Sequence, residues 1–383
     1  MKKLCFVTTV GSTYLAFLKD FSDYLYATGE YDISLICDGS ESDNREIPEY
    51  VHFYPVTMKR GVNLSAISAI NDIKKILKRE KFDIVQYSTP NAAFYTSIAA
   101  RAVGIPVRLY CQWGIRYMGF EGWKRTLFKF LEKKTCDNST FIEAESHNIR
   151  NFSITEGLYG AEHSSVIWNG SASGVNLKKF NIEMRPQWRK EIRSEKNISD
   201  DEVVFAFAGR LTADKGVNEL LEAFLSVSSH NQTVKLMIMG RMDNSESLNS
   251  LLMEQANQTG RVIFTGNVTD IERYYAAADV FVAPSYREGF GLVVVEAEAM
   301  GLPALVSDVP GQIDAIIPNQ TGLACKVKDV VTLEAAMVQL LNDADLRDKM
   351  GKAAAEFAER DFEQKQLFGY LKKHRDELIK EKY

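Results

Sequence analysis

The chain predicts an α/β protein of two doubly wound domains. Three observations predict it. Apolar, β-branched runs of strand length recur along the whole sequence, each followed by a stretch of helix length. The alternation is interrupted once, from Gly170 to Ser199, and restarts at Glu202. A chain of 383 residues also suggests two or three domains at about 150 residues each. Strands alternating with helices form parallel βαβ units with helices on both faces. The expected division is a first domain over 1–176, a second over 177–361, and a terminal helix over 362–383 that crosses back to the first.

The elements follow in order. LCFVTTV is a strand, and Gly11-Ser12-Thr13 turns into a helix reaching about Ala27. DISLICD and VHFYPV are the next strands. Ser65 to Lys81 is a helix with Ala66, Ile67, Ile70, Ile73, Ile76 and Leu77 on one apolar stripe and lysines opposite. FDIVQYS is a strand, Asn91 to Val103 a helix, IPVRLYC a strand and Trp123 to Cys136 a helix. STFIEAES and SSVIWNG complete the first set. GSASGVNLKKF reads as a linker, with a short charged segment around Trp188 after it. The second set is EVVFAFAGR, VKLMIMG, RVIFTG, VFVAPS, PALVSD and GLACKV, each leading into a helical segment.

Composition bounds the function. Hydrophobic content of 45% and charged content of 25% fit a globular, water-facing protein. The net charge of −5 argues against nucleic-acid binding. Residues 1–176 hold 20 Lys/Arg against 19 Asp/Glu, and the remainder 26 against 32, so the first half is the side better suited to an anionic surface. Five cysteines lack metal-ligand spacing and read as free thiols of a reducing cytosol. The amino-terminal apolar run is too short for a signal peptide and reads as a strand. No run of about 18 apolar residues suggests a membrane span.

The chemistry concentrates in PSYREGFGLVVVEAEAMGLP, Pro284 to Pro303. Glu288 and Glu296 stand eight positions apart across a turn bracketed by Gly289 and Gly291. The run after Gly291 opens a helix, whose free N–H groups and positive dipole end suit a phosphate. Glu298 falls about 200° around that helix from Glu296 and reads as a solvated or structurally paired glutamate. Strand, glycine and helix recur in every α/β protein, so this stretch alone is weak evidence. A second loop supports it. After VVFAFAG comes RLTADKG, which places Arg210 and Lys215 just before a helix, two cations that suit a diphosphate. Taken alone, that loop reads as a pair of solvated cations. Ligands of open α/β sheets bind at the carboxyl ends of strands, and Arg210, Lys215, Gly240, Gly266, Pro284 and Glu288 all lie just past such ends. Gly240-Arg241 and Gly266-Asn267-Val268 are loops where backbone could approach a base or ribose, or ordinary strand-to-helix turns.

These residues carry a resemblance. GR-L-x-x-x-KG, TGNVTDIERYYAAADVFVAPS and EGFGLVVVEAEAMGLPALVSDVPG resemble retaining glycosyltransferases of the GT-B fold, glycosyltransferase family 4. The match is dense from Phe205 to about Gly322, and the first half matches in layout more than in motif. FDIVQYSTP and NGSASGVNLKKF resemble members that build capsule, O-antigen and other lipid-linked bacterial glycans. The resemblance implies two Rossmann-like domains facing a cleft, the second holding the nucleotide sugar. It implies that Arg210 and Lys215 hold the donor diphosphate and stabilise its charge as it leaves. Glu288 would contact the transferred sugar and Glu296 the ribose, while the amides of Gly289, Phe290, Gly291 and Leu292 face the phosphate. It implies no metal and no cofactor; Asp343-Ala-Asp345 sits in a turn between helices.

In the first half, the loop at Gly11 lacks a G-x-G-x-x-G fingerprint, which argues against a nicotinamide enzyme; the resemblance gives it contact with donor phosphate or acceptor. Where many relatives carry a histidine, this chain reads Cys111-Gln112-Trp113-Gly114. In a retaining, front-side mechanism the departing phosphate oxygen can take the acceptor proton instead. Phe120, Trp123, Leu127, Phe130 and Leu131 fall on one face of the helix FEGWKRTLFKFLEKKTCD, ringed by Lys124, Arg125, Lys129, Lys133 and Lys134. This reads either as an interfacial helix on an anionic leaflet or as a core helix with a solvated basic face. The expectation is a cytoplasmic glycosyltransferase, peripheral on the inner face of the membrane, that moves a sugar from a nucleotide diphosphate to a lipid-linked glycan. Its rivals are a sugar-nucleotide epimerase of the same shape and a non-catalytic sugar-nucleotide-binding subunit.

Overall fold

A computed structural model describes residues 1–40, 42–58, 65–242 and 248–382. The chain divides into two units, Met1–Ser173 with Lys365–Tyr383, and Gly174–Gln364. Among the described residues the first unit is built on seven strands: β1 Lys2–Val7, β2 Tyr31–Cys37, β3 His52–Pro55, β4 Ile84–Tyr87, β5 Val107–Gln112, β6 Phe141–Ala144 and β7 Ser164–Ser165. They pair in parallel in the order β3-β2-β1-β4-β5-β6-β7. The chain moves outward from β1 to β3, then returns to the other side of β1 for β4. That reversal leaves a crevice at the carboxyl ends of β1 and β4.

Both faces of this sheet are covered, which is why its strands read as continuous apolar runs. In β1, Cys5 and Val7 enter one core and Leu4 and Phe6 the other. At the reversal, Thr89 has φ 65°, a value a β-branched residue adopts only under constraint. It is tied to the end of β1: Thr9 N donates to Thr89 Oγ1 (3.1 Å), and the two hydroxyls lie 2.8 Å apart.

The second unit carries β8 Val203–Ala208, β9 Val234–Met239, β10 Val262–Gly266, β11 Val280–Ala283, β12 Ala304–Ser307 and β13 Gly322–Cys325. They are also parallel, in the order β10-β9-β8-β11-β12-β13, with the reversal between β8 and β11. Val204, Ala206 and Ala208 of β8 face one core, Phe205 and Phe207 the other. The doubly wound α/β class expected for both halves is the observed one.

Three local expectations change. The helix after Gly11 is two helices, Gly11–Phe17 and Lys19–Ala27, because Leu18 leaves helical geometry at φ −120°. Ile67 is 62% exposed and leaves the apolar stripe of its helix. The charged segment around Trp188 is a helix, Arg185–Glu195. It is fixed by its cations: Arg185, Arg189 and Arg193 all donate to carbonyls of Ala277, Ala278 or Gly301, and Arg189 and Arg193 both pair with Asp279 at 2.7 Å.

The helix Gln364–Lys380 follows the second unit in the chain and packs into the first. Leu367, Phe368 and Leu371 join the core of Leu4 and Phe6. Arg375, 1% exposed, forks onto Glu143 of β6 at 2.6 and 3.0 Å and donates to Gln86 Oε1 of β4. Burial alone would raise the Glu143 pKa; Arg375, helped by His374, holds it down to about 2. No helix among the described residues is long and apolar enough to cross a membrane.

Candidate functional site

The candidate residues of the second unit gather where its strand order reverses. β8 and β11 are neighbours, and their carboxyl ends lead into the loops 209–216 and 284–291. The loops approach so closely that a Cβ on Gly216, at φ +71°, would stand 2.0 Å from the Pro284 carbonyl oxygen. Only glycine permits that contact in that conformation. Tyr286 N donates to the Asp214 carbonyl at 2.9 Å.

Two ion pairs cross between the loops. Lys215 Nζ donates to Glu288 Oε1 at 2.5 Å, and Arg287 pairs with Asp214 at 3.0 Å. One loop presents acid then base, and the other base then acid, so the pairs run in opposite sense. Ser285 Oγ also donates to Glu288 Oε1, at 2.8 Å. Arg210 is exposed at the start of the same loop. Burial would raise the Asp214 pKa, but the Thr212 hydroxyl, Arg287, Lys215 and Arg210 together bring it below the usual range. The structure therefore brings Arg210, Lys215 and Glu288 into one charged cluster. Asp214 and Arg287 belong to it as well, though neither drew notice in the sequence. Their signal was available as complementary dipeptides, Asp-Lys and Arg-Glu, after two strands that pair.

The other candidates stand around this edge. Gly240, with φ +146°, follows β9 and lies so close to the loop after β8 that a Cβ would stand 1.8 Å from Gly209 O. The Arg241 carbonyl accepts from Leu211 N at 3.0 Å, while Asn267 is exposed after β10 and Val268 leans on the core. Gly291, with φ +93°, caps the helix Leu292–Ala299. Gly289 is buried, and the Phe290 side chain packs on Phe362 at 5.0 Å, leaving Phe290 only its backbone to offer a ligand. Gly311 closes the loop from behind: a Cβ there would meet Glu288 O at 2.4 Å.

Glu296 has a different set of neighbours from Glu288. It is half-buried, and burial lifts its pKa to about 7, with Lys179 opposing and Glu272 adding to the rise. Glu298 corrects the expectation of a solvated or paired side chain. It is fully buried, and burial pushes its pKa well above the usual range against a lowering effect of Thr321. Glu298 lies on the side of the helix Leu292–Ala299 that the core covers, with Val294, Val295, Ala297 and Ala299, whereas Leu292, Val293 and Glu296 are only partly buried.

In the first unit, Gly11 follows β1 beneath Asn44, whose Oδ1 would stand 2.1 Å from an added Cβ. Gln112 is buried where relatives were expected to carry histidine nearby; its amide nitrogen donates to Glu132 and its oxygen accepts from Ser153 and Tyr159. The helix Gly122–Asn138 has two apolar sides. Trp123, Leu127 and Phe130 point outward, 71, 39 and 56% exposed. Leu131 does not share that side; it turns inward with Phe128. Arg125 and Lys129 both pair with Glu156, and Lys133 pairs with Asp137, while Lys124 and Lys134 lie over the Trp123 and Phe130 rings.

Comparison with known proteins adds the family. Residues 3–146 match the model described as glycosyl transferase 4-like, and residues 189–357 match glycosyl transferases group 1. The capsular polysaccharide biosynthesis glycosyltransferase CapM of Staphylococcus aureus is 29% identical over 350 residues, 89% of each chain. The UDP-Gal:alpha-D-GlcNAc-diphosphoundecaprenol alpha-1,3-galactosyltransferase of Escherichia coli is 28% identical, covering 82% of this chain and 81% of its own. Sucrose-phosphate synthase from Thermosynechococcus elongatus superposes with a TM-score of 0.82 at 18% identity, over 99% of each chain.

Proposed function

This chain belongs to the glycosyltransferases, a 4-like segment followed by a group 1 segment, and on that premise we propose that it transfers a hexose or N-acetylhexosamine from a uridine diphosphate donor to a growing lipid-linked glycan, with retention at the anomeric carbon. The observation that carries the reading is the Lys215–Glu288 pair, with Arg210 beside it, at the carboxyl ends of two adjoining strands. Lys215 and Arg210 supply the charge that stabilises the leaving diphosphate. When the diphosphate arrives, Lys215 turns its donors to phosphate oxygens, and Glu288 is left to accept from hydroxyls of the transferred sugar. Glu296 accepts from the ribose hydroxyls. The amides of residues 289–292 face the phosphates at the start of the helix Leu292–Ala299. The departing phosphate oxygen takes the acceptor proton on the same face of the sugar. The likeness to a relative that uses UDP-Gal and a diphosphoundecaprenol-linked sugar supports the donor and the acceptor class.

The outward side of the helix Gly122–Asn138, with Lys124 and Lys134 over its rings, suits peripheral contact with an anionic lipid surface. The test is a screen of UDP-sugars by thermal shift, followed by transfer to a lipid diphosphate sugar and NMR of the product anomer. A product of inverted configuration, or a chain that no UDP-sugar stabilises, overturns the reading.

A further inference from the structure

We infer that Lys179 is a positioning residue of the donor site, the cation that faces Glu296 and keeps its carboxylate charged for the ribose. This rests on the donor reading above, in which Glu296 accepts from the ribose, and adds a residue to it. The stretch around Lys179 reads in the sequence only as a linker, yet it folds into a fixed turn. Asn176 Oδ1 accepts from the backbone N–H of Lys178 at 3.1 Å and of Lys179 at 3.3 Å. The Asn176 carbonyl accepts from the N–H of Lys179 and of Phe180, both at 2.9 Å. Phe180 is buried and stacks on Tyr275, with ring centres 6.2 Å apart. The turn is thereby fastened to the helix Ile271–Ala277. Lys179 reaches Glu272, in the first turn of that helix, with Nζ 3.7 Å from Oε2. Its ammonium also lies 5.4 Å from the centre of the Phe180 ring.

The pair stands beside Glu296. Tyr275, three residues after Glu272 and on the same face, donates to the Val293 carbonyl at 3.5 Å. Val293 precedes Glu296 by three on the helix Leu292–Ala299, so the two helices meet along these faces. Glu272 Oε2 is buried and makes no hydrogen bond, which leaves Lys179 as its counter-charge. One ammonium thus serves two carboxyls, Glu272 by contact and Glu296 through its field. Burial raises the Glu296 pKa, Lys179 opposes the rise and Glu272 adds to it. The Tyr275 hydroxyl feels Glu296 as well, and burial keeps its proton in place. Asp314 of the turn Gln312–Ala315 and Glu298 on the covered side also flank this helix, and neither moves Glu296. The strands β11 and β12 and the helix Ala344–Phe362 meet it with carbon, from Phe281, Ala304, Phe357 and Ala358. An ionised carboxyl accepts from hydroxyls more strongly than a neutral one. The cation beside Glu296 therefore sets the pH at which the site takes ribose.

The experiment is calorimetric titration of UDP against pH with wild type, Lys179→Met, Lys179→Arg and Glu272→Gln. The Lys179 side chain is 44% exposed, so the fold tolerates its replacement. In Lys179→Met the pH at which UDP affinity rises is expected to move up by about 0.5, the effect of a partly exposed cation. Affinity at neutral pH then falls about twofold and is recovered as Glu296 ionises above about pH 8. Lys179→Arg is expected to keep the wild-type profile. Glu272→Gln removes an anion and is expected to move the rise downward instead. A pair that only fastens the turn would not shift the profile in opposite senses. Profiles unmoved in both variants, shifts in the same direction, or an affinity loss equal at every pH overturn the inference, while UDP binding leaves the donor reading standing. A chain that binds no UDP at any pH overturns the donor reading, and the inference with it.

Discussion

Glu288 and Glu296 come from one short span of chain and meet opposite surroundings. Glu288 is ion-paired to Lys215, whereas Glu296 sits where burial lifts its pKa to about 7. Glu288→Gln is expected to lower kcat more than it weakens nucleotide binding, since its proposed partner is the reacting sugar. Glu296→Gln is expected to weaken UDP binding by about 1–3 kcal/mol. The pH dependence separates them further. A carboxyl raised to about 7 is protonated below that pH and must lose its proton to accept fully from ribose hydroxyls. UDP affinity should therefore rise as pH climbs through about 7 and should be flat in Glu296→Gln. Folding runs the other way: Glu296's share of stability is complete below the unfolded value of 4.5 and is lost as pH rises through about 7. Calorimetric titration of UDP from pH 5.5 to 8.5 checks both; a wild-type affinity indifferent to pH contradicts the Glu296 assignment.

The Asp214–Arg287 pair belongs to the same scale. On the proposed reading it keeps the two loops together when Lys215 turns from Glu288 to a diphosphate. Asp214→Asn and Arg287→Gln should each lower kcat while leaving thermal stability within about 0.5 kcal/mol of wild type, as for a partly exposed pair. The double variant should be no slower than the worse single variant, which a double-mutant cycle on kcat would reveal. Strictly additive effects would show that the pair does not act as a unit.

At the scale of the element, the helix Gly122–Asn138 shows what a helical wheel can and cannot convey. Its basic and aromatic content was plain, but the destination of each side chain was not. Arg125 and Lys129 face Glu156, a partner distant in sequence, and Lys133 faces Asp137. Lys124→Glu with Lys134→Glu should therefore reduce sedimentation with anionic liposomes without loss of stability. Reversing Arg125 and Lys129 should instead destabilise the fold through repulsion at Glu156. Unchanged sedimentation of the first pair would remove this helix from membrane contact. Strands and most helices were legible because burial on both faces writes them as apolar runs. The helix Arg185–Glu195 was not, since much of its anchorage is three arginines on distant carbonyls, with only Trp188 and Ile192 turned to the core. In the same way the glutamate–glycine–helix pattern was legible as a local signal. Its companions Asp214 and Arg287 emerge only when β8 and β11 lie side by side.

For the whole molecule, the helix Gln364–Lys380 is the chief tie between the two ends of the chain. Arg375→Leu leaves Glu143 buried without its cation and should cost about 3–5 kcal/mol. Adding Glu143→Leu should recover much of that loss, measured by urea denaturation. Glu143, held near 2, contributes stability that is full above the unfolded value of 4.5 and is lost as pH falls from 4.5 toward 2. The double variant should lose that part of its acid sensitivity. If Arg375→Leu alone is as stable as wild type, the buried pair is not what fixes the helix.

The same helix sets an order of assembly during synthesis. Phe21 packs on Phe368 at 5.3 Å, and Leu4 and Phe6 share their core with Leu367 and Leu371. A ribosome delivers residues 1–173 long before 365–380, so one side of the first sheet, covered in part by the helices Gly11–Phe17 and Lys19–Ala27, waits incomplete while all of Gly174–Gln364 is made. The second unit, contiguous in sequence, can close its core as it emerges. The first half of the message therefore encodes the domain that finishes last, and for that interval the apolar surface that awaits Leu367, Phe368 and Leu371 is the one a chaperone would find.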